Sequence, residues 1–266
     1  MPLSLTENKI FKNNDNAILT DKNNNQFHAR MLSLDSSEPY NRKGLFIVRL
    51  QNRDQVWNIL TSEKTRIIIP KTIGDSIIEQ YDGNIIPKIA HEIWIDDTPF
   101  LISKMENIII SSFDNQRQAL RIPLLDKREV NVYITEKVGK REIEHKLVFE
   151  LENISIRGVG IKYYPFQYAN SEMPREFNLL KEGNKVVISG RLKKLDSEEK
   201  LDFGYNSPAI IITHRNDANE IAFKILNNSV QLILNGYIRQ LRQKLEQEFI
   251  QAVKQFEEFE ELIQNE

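Results

Sequence analysis

The chain's four histidines, His28, His91, His145 and His214, are scattered along its 266 residues. No two stand four residues apart, so no helix face carries a paired imidazole site. "HEIW" at 91–94 lacks the second histidine of a helical zinc motif. Each histidine is therefore expected at the surface or on an edge strand. Cysteine is absent, which removes thiolate nucleophiles, disulfides and the usual structural zinc ligands. "DKNNNQ" at 21–26 starts like a calcium loop, but Gln26 stands where the sharp turn wants glycine and Leu32 where a bidentate glutamate is needed. No metal site and no cofactor are expected.

Phosphate-cradling loops fare no better. "GVGIKY" at 158–163 places Tyr163 at the third glycine position of a dinucleotide loop, and no helical pattern follows it. Gly139-Lys140 has neither the preceding glycine of a phosphate loop nor a following Ser or Thr. Asp96 and Asp97 sit in a turn-like stretch where adjacent side chains diverge, and Glu198–Glu199 and Glu260–Glu261 lie in solvated runs. No catalytic residue is assigned, and a non-enzymatic role is expected.

Two surfaces remain. "IKYYPFQYAN" packs Tyr163, Tyr164, Phe166 and Tyr168 into six positions, near Lys185, Arg191, Lys193 and Lys194. Pro165 cannot donate to a ladder, which pushes the run towards a sheet edge. The rings then serve as core, as a protein contact surface, or as a base-stacking platform beside the cations. The second surface is helical. Ile225, Ser229, Ile233, Tyr237, Leu241, Leu245, Phe249, Val253 and Phe256 recur at steps of four and then three. Its candidate partner-facing residues are Tyr237, Leu241, Leu245, Phe249, Val253 and Phe256. A self-contained reading stands beside this one, in which the helix folds back over its own chain.

The elements that position these residues are mostly strands. Residues 1–26, rich in Asn and Asp, read as a flexible N-terminal segment. Residues 27–125 read as a β-rich unit with short helices at "DQVWNILTS" and at 75–83, where Asp75 would cap and Gly83 would end the helix. "HEIWI" and "FLISKM" form a hairpin across "DDTP". Residues 126–217 read as a small antiparallel barrel of about five strands, OB-like in pattern. Its first hairpin turns at "GKRE", and Gly158, Gly160 and Gly190 mark bulges or bends. Residues 218–266 read as one amphipathic helical region, bent or broken at Asn235–Gly236. No internal repeat of useful period is visible.

Composition bounds the rest. A net charge of −2 provides no global field to attract nucleic acid, so any such binding needs a local patch. No apolar run approaches the ~20 residues of a membrane span. "MPLSLTENKIFKNNDN" lacks the charged start and apolar core of a signal peptide, so a cytoplasmic, membrane-free chain is expected. The fold class is β-rich α+β, with one or two barrel or sheet units followed by a long C-terminal amphipathic helix. The expected role is an interaction or assembly subunit of a larger complex, bound to protein through the helix and β-edge surfaces. The alternative is a single-stranded nucleic-acid binding module.

Overall fold

The computed structural model describes residues 17–21, 25–35, 42–61, 65–70, 77–114, 122–163, 175–193, 202–215 and 219–264. The chain divides into two compact units, Met1–Gln118 with Arg242–Glu266, and Ala119–Leu241.

In the first unit the strands are β1 (Ala17–Thr20), β2 (Gln26–Asp35), β3 (Arg42–Arg49), β4 (Thr65–Pro70), β5 (Ile77–Ile95) and β6 (Thr98–Asp114). Among the described residues they close into a six-stranded barrel in the order β1-β2-β3-β6-β5-β4. Each half is an antiparallel meander, and two further antiparallel pairings join the halves. Ile18 pairs with Ile68 across β1–β4, and Ile47 with Ile102 across β3–β6. Leu19, Phe27, Ala29, Phe46, Val48, Leu101 and Met105 belong to one core cluster. Helix α1 (Asp54–Leu60), between β3 and β4, adds Val56 and Ile59 to it, as their helical spacing suggests.

Leu45 and Ile47 alternate with Phe46 and Val48 along β3 and are buried as well. Both faces of this strand are covered, hence the unbroken apolar run "LFIV". The cover over the alternate face comes from the C-terminal part of helix α2 (Asn228–Gln264). Phe249 packs edge-on against Phe100 at 5.6 Å between centroids, and the Arg30 guanidinium lies 5.2 Å from the Phe249 ring centre. Arg49 Nε donates to Glu248 Oε2 at 2.6 Å, and Phe256 meets His91 at 5.5 Å. Burial lowers the pKa of Arg30, while the Glu246 carboxylate works in the opposite direction. Phe249 and Phe256 are fully buried, each worth about 1.5–3 kcal/mol in apolar area removed from water.

The second unit repeats this plan. Its strands are β7 (Ile122–Val138), β8 (Arg141–Ser155), β9 (Gly158–Lys162), β10 (Lys185–Lys193), β11 (Asp202–Arg215) and β12 (Glu220–Ile225). Among the described residues they close in the order β10-β11-β12-β9-β8-β7. Two three-stranded meanders are again joined first strand to first and third to third. A 3-10 helix, Arg175–Leu179, again lies between the third and fourth strands. Its Phe177 packs edge-on against Phe149 at 5.5 Å and Tyr163 at 5.4 Å.

Several expectations change. The second barrel has six strands in an order that is not OB-like, because "EIAFKI" at 220–225 is β12 and not the start of the helix. Ile221, Phe223 and Ile225 are buried at period two, and Phe223 pairs with both Val159 and Ile211. The expected boundaries shift accordingly. β1 lies within the segment expected to be flexible, β7 begins before residue 126, and β12 extends the barrel past residue 217. Of the helix expected at 75–83, residues 77–83 are strand, and Gly83 pairs with Thr65 instead of ending a helix. Ladder bonds to both β4 and β6 outweigh the local capping signal there.

Helix α2 runs through Asn235–Gly236 without a break. Gly236 is exposed, and a Cβ built on it meets nothing within 4 Å. Gly236→Ala therefore removes only the entropic cost of glycine in a helix. It should raise stability by about 0.5–1 kcal/mol in a denaturant titration.

Candidate functional site

The aromatic run does not form an exposed platform where it is described. Tyr163 is 4% exposed and belongs to the core. Its ring meets Phe177 and His214, and its backbone N–H donates to Asn219 O at 2.9 Å. His214 Nδ1 lies 2.7 Å from Leu180 O, which can only accept, so this nitrogen carries the proton. Nε2 then accepts from the Tyr163 hydroxyl at 3.3 Å. This corrects the placing of Tyr163 on a contact surface: a chain leaving β9 must fill the barrel end, and the phenol is satisfied inside. Tyr164, Phe166, Tyr168 and Lys194 lie outside the described residues, and of Lys193 only the backbone is described. Lys185 and Arg191 are exposed at the two ends of β10.

The helix face is corrected too. Leu241, Leu245, Phe249 and Phe256 are fully buried within this chain, Tyr237 is buried and Val253 half-buried. For the part from Leu245 onward, the ring contacts to Arg30, His91 and Phe100 and the ion pair with Arg49 supply, within the chain, the cover expected of a partner. The histidines are not uniformly peripheral either. His28 is buried in β2, and His145 lies 3.0 Å from Glu136 and 3.6 Å from Glu176. Among the described residues no group of three or more His, Cys, Asp or Glu is placed to hold a metal ion.

A cluster that the spacing arguments passed over lies at the β8–β9 turn. β8 ends "ENIS", two residues turn, and β9 begins "GVG". Ser155 Oγ donates to Gly158 O at 3.2 Å across that turn, and Ile225 N–H donates to Arg157 O at 2.9 Å. Gly160 lies under the Asn153 carboxamide so closely that any Cβ would overlap Oδ1. A Cβ on Gly158 would likewise strike the Phe223 carbonyl. These glycines mark close approaches, and the register of β9 on β12 passes through both without a shift. On the β8 side it shifts between Leu151 and Asn153, where Asn153 pairs with Gly160, as the bulge expectation at Gly160 has it. Asn153 is 5% exposed, yet its Oδ1 accepts no hydrogen bond. An acceptor in that state costs about 1–3 kcal/mol unless a donor reaches it.

The other neighbour of this strand end is the start of β7. Ile122 pairs with Ile154 and Pro123 with Asn153. In the sequence, Ile122 follows "RQALR", with Arg117 and Arg121 four residues apart; both lie outside the described residues. The recognisable signal was two arginines leading into a strand, together with Asn, Ser and Gly at 153, 155 and 158.

A second feature is a shallow cleft of about 430 Å³ on β7, β10 and β11, lined by Asn131, Ser189, Gly190, Arg191, Gly204, Tyr205 and Asn206. Tyr205 is buried, its hydroxyl has no partner, and burial raises its pKa.

No protein-family model matches the sequence, and no curated protein matches it. Solved structures do. Escherichia coli YcgR in complex with c-di-GMP is 13% identical, with 91% of this chain and 90% of that one covered, at a TM-score of 0.36. Bacillus subtilis MotI/DgrA, an inhibitor of motility, is 12% identical over 89% of this chain and 100% of that one, also at 0.36. The K. pneumonia MrkH–c-di-GMP complex is 9% identical over 91% and 90%, at 0.33.

Two outcomes follow. Gly160→Ala should cost about 1–3 kcal/mol by overpacking. Asn153→Ala in the same chain should recover part of that loss, a coupling measurable by denaturant midpoints. Tyr205→Phe should leave stability at neutral pH unchanged or slightly higher, since it deletes an unpaired buried hydroxyl. With a folded pKa above the ordinary 10.0, Tyr205 contributes stability that is complete below that value. That contribution falls as pH rises towards the folded value, because the unfolded chain ionises first. Thermal melts from about pH 9 to 11 should show a smaller loss for the Phe variant.

Proposed function

We propose that this chain is a binding and regulatory protein whose second barrel takes a phosphate-bearing guanine nucleotide at the β7–β8–β9 end, with c-di-GMP as its ligand. In this reading it is a PilZ-like effector, not a catalyst. The observation that supports it is the register of β7 on β8. The residue after Arg121 stands opposite Ile154, between Asn153 and Ser155. A guanidinium fork matches both a phosphate and the O6/N7 edge of guanine, so two arginines on one short segment suit a molecule bearing both groups. Asn153 supplies a buried acceptor that still needs a donor, and a guanine amine or an arginine N–H provides one. Gly158 and Gly160 keep the strand free of side chains where Phe223 and Asn153 press against it.

Isothermal titration of the intact protein with c-di-GMP tests this. Saturable binding is expected, weakening as salt rises. Arg121→Ala and Arg117→Ala should each lower affinity roughly tenfold or more, the worth of a lost charge-assisted contact. Asn153→Ala should lower it while the fold is retained. Absence of binding, or binding indifferent to both arginine substitutions, would refute the assignment.

A further inference from the structure

The chain has two tryptophans, and both are exposed on the first barrel: Trp57 at 69% and Trp94 at 44%. Indoles bury more apolar area than almost any other side chain, so leaving two of them in water is an unusual use of the residue. They occupy different elements, Trp57 on α1 and Trp94 at the end of β5, next to the β5–β6 turn. One carboxylate links those elements. Trp94 Nε1 donates to Glu92 Oε1 at 2.9 Å, and Arg53, one helical turn before Trp57, approaches the same oxygen at 3.4 Å. A hydrogen bond thus helps to hold Trp94 in place although much of its ring is open to solvent.

Among the described residues next to the two tryptophans in sequence, acidic side chains outnumber basic ones. Asp54 precedes Trp57 by three residues and so shares its side of α1. Asp96 and Asp97 form the β5–β6 turn two residues beyond Trp94, with Asp96 at a φ of 51°. All three aspartates are exposed. Arg53 is the cation of the set, and its side chain faces Glu92. Aromatic faces attract cations, and neighbouring carboxylates reinforce that attraction. A phosphate-bearing or acidic partner would meet repulsion at the same place.

We propose that Trp57 and Trp94, with Asp54, Asp96 and Asp97, form a docking surface for a lysine- and arginine-bearing segment of a partner protein. Basic side chains lie over the two indoles, and their charges meet the aspartates. Tryptophan is among the residues enriched at the energetic centres of protein interfaces. This surface belongs to the first barrel and does not depend on the nucleotide reading of the second.

Intrinsic fluorescence tests it directly, because both emitters belong to the patch. The intact protein is titrated with an oligolysine and an oligoarginine peptide, with oligoglutamate and a single-stranded oligonucleotide as comparisons. A saturable change with the basic peptides is expected, weakening with salt. Trp57→Ala should lower affinity roughly tenfold, and Asp96→Asn with Asp97→Asn by several-fold, read by anisotropy of a labelled peptide. Circular dichroism should be unchanged, since these side chains are exposed. No saturable response at low salt would overturn the proposal, as would binding that survives Trp57→Ala with Trp94→Ala. An equal or stronger response to the oligonucleotide or oligoglutamate would overturn it too.

Discussion

A three-stranded antiparallel meander ends in two edges whose N–H and C=O groups lack partners, and in a short sheet those edges are a large share of the backbone. Both units of this chain meet that constraint in the same way. Two meanders close on each other, first strand to first and third to third, so that no described strand is left as an edge. Closure leaves an interior that must be filled. Each barrel places a short helix in the connection between its meanders: Val56 and Ile59 join the core in the first, and Phe177 packs against core rings in the second.

Closure also determines where polar groups come together. At the β8–β9 end the strands approach so tightly that only glycine fits at 158 and 160. The same crowding buries Asn153 and sets Ser155 across the turn from Gly158. The start of β7 pairs alongside, with Ile122 opposite Ile154 and Pro123 opposite Asn153. None of these residues is distinctive alone. Their meeting depends on the pairing of β7 with β8.

Helix α2 illustrates a different balance. Its apolar stripe has the length and regularity of an intermolecular helix, but the outer face of the first barrel offers Phe100 and Ile47 as cover within the chain. The Arg49–Glu248 pair beneath it is largely buried and gains little net stability, because desolvation offsets most of its attraction. Its geometry is better read as fixing which way the helix lies, with Phe249 and Phe256 providing the energy.

Period-two alternation fixed several elements in advance. The hairpins at Asp96–Asp97 and Gly139–Lys140 follow from apolar alternation around turn residues, and α1 follows from Val56 and Ile59. The C-terminal helix follows from apolar positions recurring every three to four residues. These are local properties, written in neighbouring residues. The strand order was not legible, because many alternating strands satisfy the same rule and only backbone pairing chooses among them. So the repeated plan of the two barrels left no period in the sequence. β12 was absorbed into the helical stripe because Ile225 stands four residues before Ser229, and only its ladders to β9 and β11 claim it as strand. By residue type Tyr163 fits a surface or a core equally, and only the packing of Phe177 and His214 against it decides for the core. The candidate ligand site had to wait for the tertiary structure for the same reason. Pro123 and Asn153 are far apart in the chain, and their pairing depends on strand register, which residue type alone does not encode.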